Sequence, residues 1–295
     1  MKRILYLIVA TLLMVTFMGG CSAEGESPKE ATEAEKTTVQ EQTEKQTEKQ
    51  TTEKITEKET EPESITDENG NVVTTLAPKA KLDRTPVNCD HIDPSKPMIA
   101  LTFDDGPSAN TGRLLNILER NGARATFFVV GKYIKGNEAL LQKMVANGNE
   151  LASHTWSHAN LSTSSDEVII SELADTRAAI KKATGVDAPL ARPPYGAHNE
   201  NVKNIAASQG ISLIMWSLDT RDWESRNAAA VYSKTMSNVR NGDIILCHDL
   251  HKTTVDAMES VIPSLIQSGY QLVTVSELLT YGREELTCGE VYFRR

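Results

Sequence analysis

This chain of 295 residues has no long apolar run, no cluster of basic residues and almost no apolar side chain between residues 22 and 86. The longest apolar stretch, Ile4–Met18, is broken by threonines and a tyrosine and is fifteen residues long, whereas a helix needs about 20 to span a bilayer. Because Lys2 and Arg3 precede it, it reads as an export signal and not as an integral span. The formal charge of -9 divides into +2 from Lys2 and Arg3, -7 in residues 22–86 and only -4 in residues 87–295. A weakly acidic folded part without a basic patch argues against nucleic acid as a partner. Hydrophobic residues make up 39% of the chain, and the shortfall is concentrated in residues 22–86, where Thr-Glu-Lys recurs at Thr43, Thr47, Thr52 and Thr56. Such a segment cannot bury enough surface to offset the entropy of ordering it. It reads as a disordered, Thr/Glu/Lys/Gln-rich linker with a coil reach of roughly 45 Å, which leaves the core to residues 87–295.

Cysteine is scarce, with four in all. The sequence Met18-Gly19-Gly20-Cys21 resembles the lipobox of bacterial lipoproteins, in which the cysteine is lipidated and becomes the first residue; a plain signal peptide is the alternative. Residues 1–21 are thus a signal peptide with lipobox, and the only membrane attachment expected is a lipid on Cys21 outside the cell. Cys247 lies within an apolar run and reads as a small core residue. Cys89 and Cys288 flank the folded domain; in an exported protein they are candidates for a disulfide that staples its ends, a pairing that sequence alone leaves open.

From Pro97 onward, apolar runs rich in Val, Ile, Leu and Phe alternate with amphipathic helical stretches. Seven buried strands are expected, at Met98–Phe103, Ala125–Val130, Glu150–Ser153, Pro189–Arg192, Ile211–Leu218, Asp243–Cys247 and Gln271–Val275. Intervening helices stop at Asn121-Gly122 and Asn147-Gly148, and Ser165 caps a longer one ending before Gly185. Repeated strand–helix units imply an α/β fold with a parallel sheet. Seven of them suggest a distorted (β/α)7 barrel related to the eight-stranded α/β barrel, with an open doubly wound sheet as the alternative.

Polar clusters interrupt this pattern at the carboxyl ends of five strands, where ligands bind in parallel α/β folds. They are Asp104-Asp105, His154 with His158, Arg192 to Tyr195, Asp219 to Trp223, and His248-Asp249. Each alone has a bland reading: Asp104-Asp105-Gly106-Pro107 is also a turn sequence. The i, i+4 spacing of His154 and His158 would bring both imidazoles to one metal ion from one helical turn. Two imidazoles and a carboxylate suit a catalytic zinc, and a second, non-ligating carboxylate suits a general base.

Taken in order, Thr102-Phe103-Asp104-Asp105-Gly106-Pro107, His154-Thr155-Trp156-Ser157-His158, Arg192-Pro193-Pro194-Tyr195-Gly196, Asp219-Thr220-Arg221-Asp222-Trp223 and Leu246-Cys247-His248-Asp249 resemble the five motifs of the polysaccharide deacetylases, carbohydrate esterase family four or the NodB-homology domain. The resemblance covers roughly residues 95–280 and implies a distorted (β/α) barrel. It also implies that Asp105, His154 and His158 hold a divalent metal, usually zinc, that Asp104 is the base and that His248 is the acid. Arg192 would pair with Asp104 and Asp222 with His248, so that base and acid are held in different protonation states. The backbone N–H of Tyr195 would face the developing oxyanion. Trp223 and Leu246 would enclose the acetyl methyl, or else are ordinary packing at strand ends. The expected partner is an acetylated cell-envelope polysaccharide, above all peptidoglycan N-acetylglucosamine. Chitooligosaccharides, poly-N-acetylglucosamine, acetyl esters of xylan and a non-catalytic glycan-binding role are the alternatives.

Overall fold

The computed structural model describes residues 64–66, 72–74, 80–82, 87–283 and 285–295. The export signal, Cys21 and most of the linker lie outside the described residues. Within the segment read as linker, β1 (Ser64–Thr66) pairs antiparallel with β2 (Val72–Thr74), Ile65 opposite Val73; β-branched residues make both segments good strand formers. Further on, Ala80–Leu82 lies beside the C-terminal segment: Leu82 donates its N–H to Leu286 (2.7 Å), and Cys288 donates to Ala80 (2.9 Å). Leu82 is buried, so chain ahead of residue 87 also packs on the domain.

The units that follow are β3 (Met98–Asp104), α1 (Thr111–Arg120), β4 (Thr126–Val129), α2 (Glu138–Ala146), β5 (Glu150–Ser153), α3 (Asp166–Thr184) and β6 (Leu190–Ala191). Next come α4 (Glu200–Ser208), β7 (Ser212–Ile214), β8 (Leu218–Asp219), α5 (Asp222–Ser225) and α6 (Ala228–Asn238). The chain ends with β9 (Ile244–His248), α7 (Lys252–Gln267), β10 (Gln271–Leu272), α8 (Val275–Thr280) and β11 (Val291–Tyr292). The strands β6, β5, β4, β3 and β9 are parallel neighbours in that order. At one end of this row β7 pairs with β6, and at the other β8 pairs with β9. Residues 215–217 join β7 to β8, so one stretch of chain reaches both ends of this row, with β11 pairing outside β7, and curls the sheet into the expected distorted α/β barrel.

That stretch was expected as a single strand over Ile211–Leu218. It divides because the carbonyls of Ile214 and Met215 are taken by the Arg192 guanidinium (3.1 and 2.9 Å). The last expected strand, Gln271–Val275, is also shorter: Thr274 leaves it to cap α8, its hydroxyl and the Glu277 side chain forming a reciprocal capping box.

Alternation along β3 sorts the core. Ile99, Leu101 and Phe103 face the helices, packing with Leu114, Leu115, Leu118 and Met258, each such fully buried side chain contributing roughly 2 kcal/mol before entropy is counted. Met98 and Ala100 face inward with Phe128, Ala152, Leu190 and Ile214. Asp104 continues this inward row through Thr102, since residues two apart share a strand face.

The cysteines at the two ends of the domain, Cys89 and Cys288, are thiols in this structure, which leaves their candidacy for a disulfide in the oxidised, exported protein as open as the sequence left it. Both cysteines pack on the inward apolar cluster. Burial pushes the Cys288 thiol up from its ordinary value, and the ends of the domain are joined by the Ala80–Leu82 pairing.

Candidate active site

Six non-glycine residues have left-handed backbone, Asp105, Thr155, His158, Tyr195, Arg221 and Arg226; the first five lie in segments that follow strands at the carboxyl end of the barrel, and Arg226 ends the short helix α5. Such conformations cost on the order of 1–3 kcal/mol and persist only where surrounding contacts impose them. Those contacts are specific. A Cβ on Gly131 would stand 2.5 Å from Trp156 Cε3 and 2.7 Å from Thr176 Oγ1, so only glycine lets the β4 loop lie against the segment between the two histidines. Gly131 N–H donates to Thr155 (2.9 Å) and Lys132 N–H to Trp156 (3.0 Å). From the other side the buried Glu172 of α3 accepts both the N–H and the hydroxyl of Ser157 (2.7 and 2.6 Å).

This bracing corrects one expectation. His154 and His158 do not share a helical turn: His154 follows the end of β5, and His158 belongs to a loop in which Thr155 (φ 63°) and His158 (φ 69°) are left-handed. The imidazoles still converge, their ring centres 5.0 Å apart. His154 Nδ1 lies 2.7 Å from the carbonyl of Arg192. A carbonyl only accepts, so Nδ1 carries the proton and the Nε2 lone pair is left for a metal. Asp105 Oδ1 is 3.4 Å from His154 Nε2 and 3.2 Å from His158 Nε2. It is buried without a hydrogen-bond donor. Tetrahedral zinc with ligands at about 2.0–2.1 Å has ligand–ligand edges of roughly 3.3 Å, so three acceptors at these spacings fit a divalent cation. Burial opposes ionisation of Asp105, but the two histidines outweigh it and hold the carboxyl well below the usual range.

Asp104 is the last residue of β3 and Asp105 the first beyond it, with φ at 70°; that turn is what brings adjacent carboxylates into one cleft. Asp104 is 2% exposed, and its Oδ1 accepts from Arg192 Nη1 at 2.7 Å. Arg192 is fully buried, lies 4.0 Å over the Phe128 ring, and also donates to Thr102 Oγ1. Burial lowers the pKa of its guanidinium, an effect that Asp104 opposes. The pair is therefore a hydrogen-bonded ion pair inside the barrel, where removal of either partner would strand the other.

Beside Asp104 in strand register stands His248, the last residue of β9. Its Nδ1 is 2.8 Å from Asp222 Oδ1, and its backbone N–H donates to Asp222 Oδ2 at 2.7 Å. The Thr254 hydroxyl donates to the same Oδ2 at 2.7 Å. Burial works against the imidazolium, yet Asp222 and the neighbouring aspartates raise its pKa to about 9. Burial likewise opposes the Asp222 anion, and His248 and Thr254 hold its pKa below the ordinary value.

A cavity of about 390 Å³ opens over these groups. The structure brings together in its wall Asp104, Asp105, His154, His158, Tyr195, Trp223, Leu246 and His248; Arg192 and Asp222 stand behind Asp104 and His248. Tyr195 is 71% exposed at the mouth, edge-on to His158. Sequence reasoning missed Trp216, which lines the same cavity and packs against Gly196, and Thr102 and Thr254, which complete the two carboxylate networks. Thr102 was legible, being on the inward face two residues before Asp104. Thr254 carries no local signal, because its partner is 32 residues away.

Comparison with known proteins agrees with this geometry. The polysaccharide deacetylase family model matches residues 91–214. The chain is 40% identical over 196 residues to the peptidoglycan-N-acetylglucosamine deacetylase PgdA of Listeria monocytogenes, covering 66% of this chain and 41% of that protein; it thus spans less than half the length of that relative. It is 37% identical over 191 residues to a peptidoglycan-N-acetylglucosamine deacetylase of Bacillus cereus, covering 62% of this chain and 89% of the relative. Among solved structures, a family 4 acetyl xylan esterase from Clostridium thermocellum, in complex with a cobalt ion, superposes with a TM-score of 0.63 at 32% identity, over 67% of this chain and 98% of that one.

Proposed function

The chain belongs to the polysaccharide deacetylase family, and from that premise we propose that it hydrolyses the acetamide of N-acetylglucosamine in an extracellular glycan, with peptidoglycan as its substrate. The observation that carries the reading is the placement of Asp104, paired with Arg192, directly beside His248, paired with Asp222, over three acceptors suited to a cation.

Asp105, His154 and His158 would hold the metal, with zinc the best match to their donor set. Bound there, a divalent cation would polarise the acetyl carbonyl and make water easier to deprotonate. Asp104, an ion-paired carboxylate, takes a proton from the water as its oxygen attacks the acetyl carbon. The backbone N–H of Tyr195, at the rim, donates to the oxyanion of the tetrahedral adduct. The C–N bond then breaks with its electron pair on nitrogen, and His248, protonated at neutral pH, supplies the proton that makes the amine a leaving group. Acetate and a free amino sugar result. Trp223 and Leu246 seat the acetyl methyl.

Location follows the same reading. We assign residues 1–21 to a lipoprotein signal peptide, Cys21 to the lipid anchor, and residues 22–86 to a tether whose Ala80–Leu82 docks on the catalytic domain of residues 87–295. The apolar run before Met18-Gly19-Gly20-Cys21 supports the anchor, and the names of the relatives support an extracellular wall glycan.

The test is acetate release from purified peptidoglycan, N-acetylglucosamine oligomers and acetylated xylan, by the zinc-loaded chain and its Asp104→Asn variant. Release from the first two that falls by about 10²–10⁴-fold in the variant, with zinc binding retained, is expected. Release from xylan alone would move the reading to an ester hydrolase. Glycan binding without release would make it a binding protein.

A further inference from the structure

A second cavity, of about 540 Å³, shares Asp105, His158 and Tyr195 with the first and continues past them to Lys132, Tyr133 and Ser157. The two cavities therefore form one groove that passes over the metal ligands. Among all residues that line it, Lys132 is the only lysine or arginine, whereas Asp104, Asp105 and Asp219 line it as carboxylates.

Lys132 is held in place. Its backbone is tied to Trp156 between the two histidines, its Nζ donates to the Ser157 carbonyl at 3.2 Å, and its ammonium lies 5.0 Å from the Tyr133 ring centre. One hydrogen bond uses one of three ammonium donors, and no ion pair engages the others among the described residues. Lys132 is exposed, so its remaining ammonium donors face the groove, where the group that would pair with them best is an anion on the ligand. A glycan of hydroxyls, ethers and acetamides has no such group. In peptidoglycan, by contrast, the sugar next to each N-acetylglucosamine carries a lactyl ether ending in a carboxyl, either free or extended by a peptide with carboxylates of its own.

We propose that Lys132 forms a carboxylate-recognising subsite that takes the anionic substituent of the sugar adjacent to the one being deacetylated. The inference rests on the deacetylase reading above and deepens it: the groove selects anionic wall glycan over neutral N-acetylglucosamine polymers. A partly exposed ion pair contributes up to about 1 kcal/mol, roughly fivefold in affinity, and weakens with salt.

The experiment compares kcat/KM of the zinc-loaded full chain on three substrates: peptide-free glycan with free lactyl groups, glycan bearing peptides, and neutral N-acetylglucosamine oligomers. In Lys132→Met the anionic-to-neutral ratio should fall about fivefold; Lys132→Arg should keep it. The wild-type ratio should shrink between about 20 and about 300 mM NaCl. A fall confined to peptide-free glycan identifies the lactyl carboxylate as the ligand, and one confined to peptide-bearing glycan identifies the peptide. A Lys132→Met ratio within about twofold of wild type on both anionic substrates overturns the proposal. If the wild type releases acetate from none of the three, the deacetylase reading fails. Calorimetric dissociation constants for the same glycans, wild type against Lys132→Met, then decide the subsite by the same ratio.

Discussion

Replacing Asp222 by asparagine tests the acid half of the site with little change of shape. With Asp222 in place the His248 imidazolium titrates at about 9, against 6.5 for an ordinary histidine. That difference corresponds to about 3 kcal/mol of preference for the charged ring. Asparagine removes the charge, while burial, which favours the neutral ring, stays. The His248 titration should then fall to 6.5 or below. At pH 8 the protonated fraction drops from roughly 0.9 to roughly 0.03, a loss of about thirtyfold, while at pH 6 most of the ring stays charged in both proteins. The assay is kcat/KM for acetate release from soluble N-acetylglucosamine oligomers between pH 5 and 10, both proteins carrying the same metal, whose charge lowers both titrations. The basic limb should move down by about 2.5 pH units. A limb that stays put beneath a uniformly lower profile would refute the reasoning, reducing Asp222 to a prop. Stability provides a second readout. Because the folded value is raised, the term is fully present below pH 6.5 and is lost as pH rises towards 9; the variant's melting temperature should lack that decline.

Gly131→Ala forces a Cβ to 2.5 Å from Trp156 and should cost about 1–3 kcal/mol in denaturant unfolding. It should also weaken zinc at least about tenfold in chelator competition; normal zinc affinity would show that the loop holding His158 does not depend on this contact. Asp249 is fully buried, and burial raises its carboxyl to about 7. An acid with a raised folded value makes the fold less stable as pH climbs from 3.8 to about 7, here by up to about 4 kcal/mol. In the metal-free protein, Asp249→Asn should flatten that fall in urea titrations, and an unaltered slope would count against it.

How much was legible depended on the range of each interaction. The carboxyl-end clusters and the inward position of Asp104 followed from alternation and strand endings, which are local. The broken strand after Ile211 did not, because the Arg192 side chain that takes its carbonyls is about 20 residues away in sequence. The helical reading of His154 and His158 reached the right cluster by the wrong geometry: spacing of four suits a helix, but Glu172 and Gly131 impose a loop that closes the same distance. Cys89 and Cys288 were legible only as flanking residues; that both pack on one inward cluster is a tertiary fact with no local signal.

The antiparallel contact of Ala80–Leu82 with Leu286–Cys288 lies among residues that begin the barrel strands, Met98 and Ile244 being in the same cluster. The clip therefore lies at the amino ends of the strands, opposite the groove at their carboxyl ends. The two segments are clipped by the backbone bonds from Leu82 to Leu286 and from Cys288 to Ala80. A pull on the N-terminal side loads this clip before it reaches the parallel strands β3 and β9, which carry Asp104 and His248. Mechanically the clip is a fuse, its two backbone bonds being the first that such a tension meets.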